Sequence, residues 1–279
     1  MLISAIVRLE KVGLQVVGFV SDGAATNKSM WRELGITTKR GNGIVNSITN
    51  PVDEGRQVFF LCDIPHILKC IRNNFYNKEN VKWGEQIISW TYYKALYDVD
   101  NKSDLRIVPK LTPRDIAPGP FQKMSVASAA HVFSNSTANG LKAYREIGQN
   151  NFFQKSEPTE NFTRLLNDLF DAYYQRVLAA MSPSDTYASD QTFVSLQVTL
   201  TSLLELTHYL CNVIGYHYVL AGKCNQDPLE KFFGLVRSFG GNDCHPTATS
   251  FSHIFRLLSV YFPTSAASKE MFRKMRNMQ

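Results

Sequence analysis

The sequence predicts an α/β start, interrupted by a mostly α-helical block and resumed by a short C-terminal segment. Three observations predict this. Two apolar runs, Leu14–Val20 and Gln57–Cys62, have strand length and are rich in valine and phenylalanine. Apolar residues on both sides of the pleat suit strands covered on both faces. From about Trp83 the pattern turns to long helical periodicities, and after Gly222 the stretch NQDPLEKFFGLVRSFGGNDCHPT opens a new helix. The domain limits read from these changes are 1–80, 81–222 and 223–279.

The elements follow in order. Leu2, Ile3, Ala5, Ile6 and Leu9 have helical spacing, and Gly13 ends that helix. The first strand stops at Ser21-Asp22-Gly23, so the Asp22 carboxylate stands where open α/β sheets place ligands. The plainer alternative makes Asp22 a helix cap or turn residue. Ala24–Leu34 reads as a helix with Gly35 at C′. Residues 39–56 read as a loop. The second strand ends in Asp63, and Pro65 opens a helix whose apolar stripe is Ile64, Ile67, Leu68, Ile71 and Phe75. His66, Lys69, Arg72 and Asn73 lie on its other faces, either as a solvated basic face or as a cationic edge able to meet phosphates. Gly84–Tyr97 reads as helical, and Leu111–Pro120, with three prolines, as a connector. Lys123–Ile147, Glu160–Met181 and Thr192–Val213 read as three long helices. In the C-terminal segment, Asp227 at N-cap, Pro228 at N1 and Glu230 at N3 resemble a capping box. A last helix covers Thr249–Phe262, followed by a basic tail.

Composition narrows the class. The chain has 279 residues and is 44% hydrophobic and 12% aromatic, which supports a large core and excludes global disorder. A net charge of +6 fits a nucleic-acid partner without requiring one. The five cysteines are odd in number, widely spaced and without a CxxC pair, so they read as reduced thiols and not a zinc site. No apolar run reaches membrane-spanning length, so no membrane partner is expected. Carboxylates at strand ends, joined by one on a helix, are how proteins hold the two Mg²⁺ ions of phosphoryl transfer. Asp22 and Glu230 are the candidates.

Longer stretches carry a more specific signal. VVGFVSDGAATNKSMWRELGI, FFLCDIPHILKCIRNNF, KLTPRDIAPGPFQKMSVASAAHVFS, TENFTRLLNDLFDAYY and NQDPLEKFFGLVRSFGGNDCHPT resemble P-element-type transposases, in that family's order and along nearly the whole chain. The resemblance implies an α/β RNase H-like catalytic core, partial here, interrupted by a mostly α-helical GTP-binding insertion domain. It implies metal-dependent cleavage and strand transfer on DNA with Mg²⁺ or Mn²⁺, in the nucleus. DNA transposon ends and a homo-oligomer or related transposase subunits are the implied partners. Asp22 matches the second catalytic carboxylate and Glu230 the third. Asp63 and His66 match a DxxH word that lines the site. Asp171 and Asp227 match residues near the guanine, with Lys110 and Lys123 available to the phosphates. Tyr174 stands where the family has Asn, which implies weak or absent GTP binding.

Only 21 residues precede Asp22, too few for the three strands and helix that carry the family's first catalytic Asp, at about five residues per strand and eleven per helix. The expectation is therefore a transposase fragment or relic that is inactive alone. The alternative is a domesticated module that binds DNA or a transposase subunit without cutting. Asp22 and Glu230 are expected to lie close together, with Asp63 at the same sheet end.

Overall fold

A computed structural model describes residues 1–39, 43–147, 151–170, 174–182, 184–241 and 247–260. It forms two compact units, Met1–Asn225 and the segment from Gln226 onward.

The first unit begins with α1 (Leu2–Lys11), closed by Gly13 at φ +86°. β1 is only Gly18–Ser21, shorter than the strand expected over Leu14–Val20. The reason lies in its first half. The Val16 N–H is taken by Glu10 Oε1 at 2.8 Å, and Leu14 is exposed, so 14–16 runs as a side-chain-tethered approach, and the first backbone bond to β5 is the one the Val17 carbonyl accepts from the Phe59 N–H at 3.0 Å. α2 (Ala25–Glu33) ends at Leu34 with Gly35 at φ +77°, as its sequence predicts.

The stretch 39–56 is not a plain loop. β2 (Thr37–Lys39) pairs antiparallel with β3 (Gly43–Val45), and β4 (Ser47–Thr49) pairs antiparallel with β5 (Gln57–Cys62). β1 pairs parallel with β5, giving the strand order β1-β5-β4. β5 is the central strand, and all of it but Gln57 is buried, which is what its continuous apolar run requires.

α3 (Ile64–Lys78) follows at once and buries the whole expected stripe from Ile64 to Phe75. Residues 84–97 are not one helix. β6 (Asn80–Trp83) and β7 (Gln86–Ser89) form a hairpin around Gly84-Glu85, with Gly84 at φ +56° in the first central position that a II′-type turn reserves for glycine. α4 (Thr91–Asp100) comes only then.

The proline-rich connector contains α5 (Pro113–Ile116), held by a Thr112–Asp115 capping box. The helix expected over Lys123–Ile147 is three: α6 (Pro120–Met124), α7 (Val126–Val132) and α8 (Asn135–Glu146). Two serines divide it. Ser125 and Ser134 act as N-caps, accepting from the N–H groups of Ser128 and Thr137. α9 (Glu157–Phe170) and α10 (Tyr174–Ala179) cover the next expected helix. Phe162 on α9 and Phe75 on α3 stand 6.0 Å apart ring to ring, inside an edge-to-face cluster with Trp90 and Tyr93.

α11 (Asp190–His208) packs along β5. Cys62 N–H donates to Thr199 Oγ1 at 2.8 Å, Ser202 Oγ donates to the Asn46 carbonyl, and Asn46 Nδ2 donates to Glu205. The last of the three expected long helices thus lies on the sheet, and it passes into a π-helical turn at Tyr209–Val213.

The second unit contains α12 (Asp227–Phe239) and a helix over residues 248–260. Val236, Ile254 and Leu258 form its small core, with Phe232 and Phe251 packed against it. Among the described residues no helix is long and apolar enough to cross a membrane, and Cys62, Cys70, Cys211 and Cys224 are free thiols. Cys244 and the basic tail lie outside the described residues.

Candidate functional site

The parallel pairing of β1 and β5 sets the site. Ser21 is in register with Cys62, so Asp22 and Asp63 leave the sheet at one edge, and the Asp63 N–H donates to the Ser21 carbonyl at 2.8 Å. This is the carboxyl end of both strands, as expected.

Asp22 is half-buried and held. Its Oδ1 accepts from Ala24 N–H at 2.9 Å, an Asx-type turn, and from Asn27 Nδ2 at 2.7 Å. Among the described residues Oδ2 accepts no hydrogen bond. Asp63 is buried and caps α3, its Oδ2 accepting from His66 N–H at 3.1 Å. The capping role is therefore real for Asp63, and the sheet-edge position is real as well.

Gly23 explains why the turn reads Asp-Gly. A Cβ there would lie 2.7 Å from His66 Nε2 and 2.9 Å from Cδ2, so the imidazole packs directly on the Asp22–Gly23 backbone. Burial pushes the His66 pKa below its ordinary value, helped by Lys69 and opposed by Asp22 and Asp63. His66 is thus neutral near pH 7, a lining group and not a second cation. A small hollow beside it is bounded by Lys28, Cys70, Thr192 and Ser195, the last two from α11. Burial pushes the Cys62 thiol up to about 12, which leaves it unreactive.

Arg72 does not stand on a cationic edge. It is fully buried, and its guanidinium donates to Ser128 Oγ at 3.1 Å, to the Gln122 carbonyl at 2.7 Å and to Asn73 Oδ1 at 2.9 Å. It ties α3 to α6 and α7. Its position four residues after Leu68 puts it on the packed side of α3. Lys69 remains half-buried and Lys110 exposed. Lys123 lies over the Tyr76 ring at 5.1 Å, with Nζ 3.3 Å from Asn77 Oδ1. Asp171 lies outside the described residues. Tyr174 is a core side chain, 6% exposed, its phenol pKa raised by burial and then by Cys224.

In the second unit the expected capping box is displaced by one residue. Gln226 is the N-cap and makes no side-chain cap bond, Asp227 opens the helix, and Glu230 sits one turn in, its N–H donating to the Gln226 carbonyl. Both acids are exposed in the first turn, where the helix dipole favours negative charge.

Oxygen ligands suit Mg²⁺ or Mn²⁺, and Asp22 offers one uncommitted carboxylate oxygen. Among the described residues, however, no three His, Cys, Asp or Glu side chains gather to hold a metal ion. Asn27, Lys28, Cys70, Thr192 and Ser195 were not singled out by sequence. Asn27 alone had a usable signal, five residues after Asp22 in the first turn of α2.

Parts of the sequence and the fold are similar to known proteins. Residues 65–184 match the family description "TNP-like, GTP-binding insertion domain", and residues 223–256 match "TNP-like, RNase H C-terminal domain". The chain is 27% identical to the transposable element P transposase of Drosophila melanogaster, over 89% of the chain and 36% of that protein. It is 24% identical to DNA transposase THAP9 of Homo sapiens, over 91% of the chain and 32% of that protein. The chain spans about a third of the length of these curated relatives. A solved Drosophila P element transposase strand transfer complex superposes with a TM-score of 0.80 at 26% identity, covering 91% of this chain and 62% of that one.

Proposed function

We propose that this chain, similar to P-element-type transposases over about nine-tenths of its length, works in transposase-type chemistry on DNA. Its strand-end region and α12 are then parts of an RNase H-like core, and residues near α3 to α10 a guanine-nucleotide insertion domain. Asp22 and Glu230 serve as metal-binding carboxylates. The observation that carries the reading is the edge where β1 and β5 end together: Asp22 is pinned through one oxygen with the other uncommitted, beside a capping Asp63 and a neutral His66.

A bound Mg²⁺ or Mn²⁺ supplies charge stabilisation and an activated oxygen nucleophile at such a site. The chain's own part is to orient Asp22 through Asn27 and the Ala24 amide. His66 packs over the turn and, being neutral, adds no positive charge beside the carboxylate. Lys28 and Lys69 add positive charge for DNA phosphates. A DNA substrate places this work in the nucleus. GTP binding is weak, because Tyr174 buries a ring where the resembled word carries an amide.

Fluorescence anisotropy with a labelled DNA duplex in Mg²⁺, across salt concentrations, tests the reading. Binding that weakens linearly in log–log with salt is expected. No binding at low salt, or binding indifferent to salt, contradicts it.

A further inference from the structure

We propose that Glu10 is a positioning residue for the Asp22 site: it clamps Val16 to the turn between β4 and β5, which sets the register of β1 on β5 and so the place of Asp22 beside Asp63. The consequence for metal binding rests on the transposase-type reading, whereas the register does not.

Burial alone encodes the register of β1 weakly. Val16, Val17, Phe19 and Val20 are apolar on both sides of the pleat. A slip of two residues therefore keeps every side chain on its own face and still buries an apolar run. At about 3.3 Å per residue, such a slip carries Asp22 about 7 Å along the strand from its place beside Asp63. The ladder that resists it is short, from Gly18 opposite Phe59 to Ser21 opposite Cys62. Phe19 on Phe60, with ring centroids 5.7 Å apart, and the Gly23 backbone on His66 favour the observed pairing. Both are van der Waals contacts, without the direction of a hydrogen bond.

Directional contacts lie at the other end of the strand. Glu10, on α1, has a side chain only 6% exposed. Its carboxylate accepts from the Val16 N–H at 2.8 Å, Asn50 Nδ2 at 2.8 Å, Arg56 Nη1 at 3.1 Å and Arg56 Nη2 at 2.6 Å. Asn50 Nδ2 also donates to the Val16 carbonyl at 3.3 Å, so both backbone groups of Val16 are held. Asn50 and Arg56 bracket the turn, and the Asn50 N–H donates to the Arg56 carbonyl at 2.9 Å. Arg56 leads directly into β5. Val16 is thereby tied to the strand that β1 pairs with, one residue before the first ladder bond. Arg56, and after it the Val16 N–H, hold the Glu10 carboxyl down to about 2, so it is an anionic acceptor at neutral pH.

An ion-pair staple accounts for Arg56 but not for Val16. The Glu10–Arg56 bonds join two side chains and leave the strand free to slide. The bond to Val16 engages one residue of the strand and no other.

Interstrand NOEs in the ¹⁵N-labelled full chain read the register. In the parent, backbone cross-peaks join Phe19 to Phe60 and Ser21 to Cys62. Glu10→Met keeps the bulk and removes the acceptor. It is expected to weaken these cross-peaks and bring up a second set displaced by two residues. Glu10→Gln is expected to keep the parent set, because an amide oxygen still accepts from Val16. Arg56→Met is expected to lower the urea midpoint and keep the parent set. Val16→Pro deletes the N–H with Glu10 and Arg56 in place, and is expected to behave as Glu10→Met does; it decides the matter if Glu10→Met does not fold. Mn²⁺ affinity, measured alongside, is expected to fall about tenfold in Glu10→Met and to stay near the parent value in Glu10→Gln. Parent cross-peaks retained in Glu10→Met, or lost equally in Arg56→Met, overturn the proposal. So do cross-peaks that vanish from a folded variant with no displaced set, or a moved register with unchanged Mn²⁺ affinity. A parent chain that binds no Mn²⁺ strikes the metal reading instead, and the cross-peaks alone then decide the register.

Discussion

The two acidic regions of this protein are built by opposite means. Asp22 sits half-buried at a sheet edge, fixed by a side-chain amide and a backbone N–H, with an imidazole packed on its turn. Glu230 stands exposed in the first turn of α12, placed by helix register and the dipole. The first carboxylate is positioned by its neighbours before any ligand arrives. The second is positioned only as well as its helix is. Substitution should therefore cost stability at the sheet edge and very little on α12, even if both residues matter equally for function.

The largest contrast is expected from two glycines. Gly23→Ala drives a methyl into the His66 ring and should cost about 1–3 kcal/mol, the usual penalty of overpacking. His66→Ala in the same chain should recover most of it, because the clash has one partner. Gly234→Ala on α12 meets nothing within 4 Å, and should gain about 0.5–1 kcal/mol from helix propensity. Urea denaturation measures all three variants. Equal losses at both glycines would erase the contrast.

The carboxylates come next. Asp22→Asn weakens two charge-assisted bonds and should cost about 1 kcal/mol. Glu230→Gln should stay within about 0.5 kcal/mol, as exposed substitutions do.

The smallest effect is a pH dependence confined to the sheet edge. The folded His66 pKa lies below its ordinary 6.5, so the unfolded chain binds more protons there and stability rises with pH. This contribution is complete above about 6.5 and is lost as pH falls through the window below it. His66→Gln should flatten that part of the profile. An unchanged profile would mean that the imidazole is better hydrated than its packing on Gly23 implies.

Much of the sheet edge was legible in sequence. A valine- and phenylalanine-rich run can bury only as a covered strand, and Asp22, Asp63 and His66 follow such runs directly. The same reasoning failed where local signals compete. Trp83, Ile87 and Ile88 suit either a helix face or a hairpin, and Gly84 decided for the hairpin. Ser125 and Ser134 looked like tolerated helix residues and proved to be caps. β4 is a three-residue edge strand, too short and polar to show a period. Thr192 and Ser195 border the His66 hollow from α11, well over a hundred residues away, and only the packing of α11 on β5 brings them there. Arg72 misled because an arginine between apolar stripe positions reads as solvated, whereas here a hydroxyl and a carbonyl from α6–α7 satisfy it.

The proposal that Asp22 and Glu230 are metal-binding carboxylates is tested most directly by Mn²⁺ affinity, read by electron paramagnetic resonance, in the parent chain, Asp22→Asn and Glu230→Gln. Each change is expected to weaken Mn²⁺ binding, because each removes an anionic oxygen ligand. Mn²⁺ binding that is indifferent to either change would contradict the metal-binding role of that carboxylate.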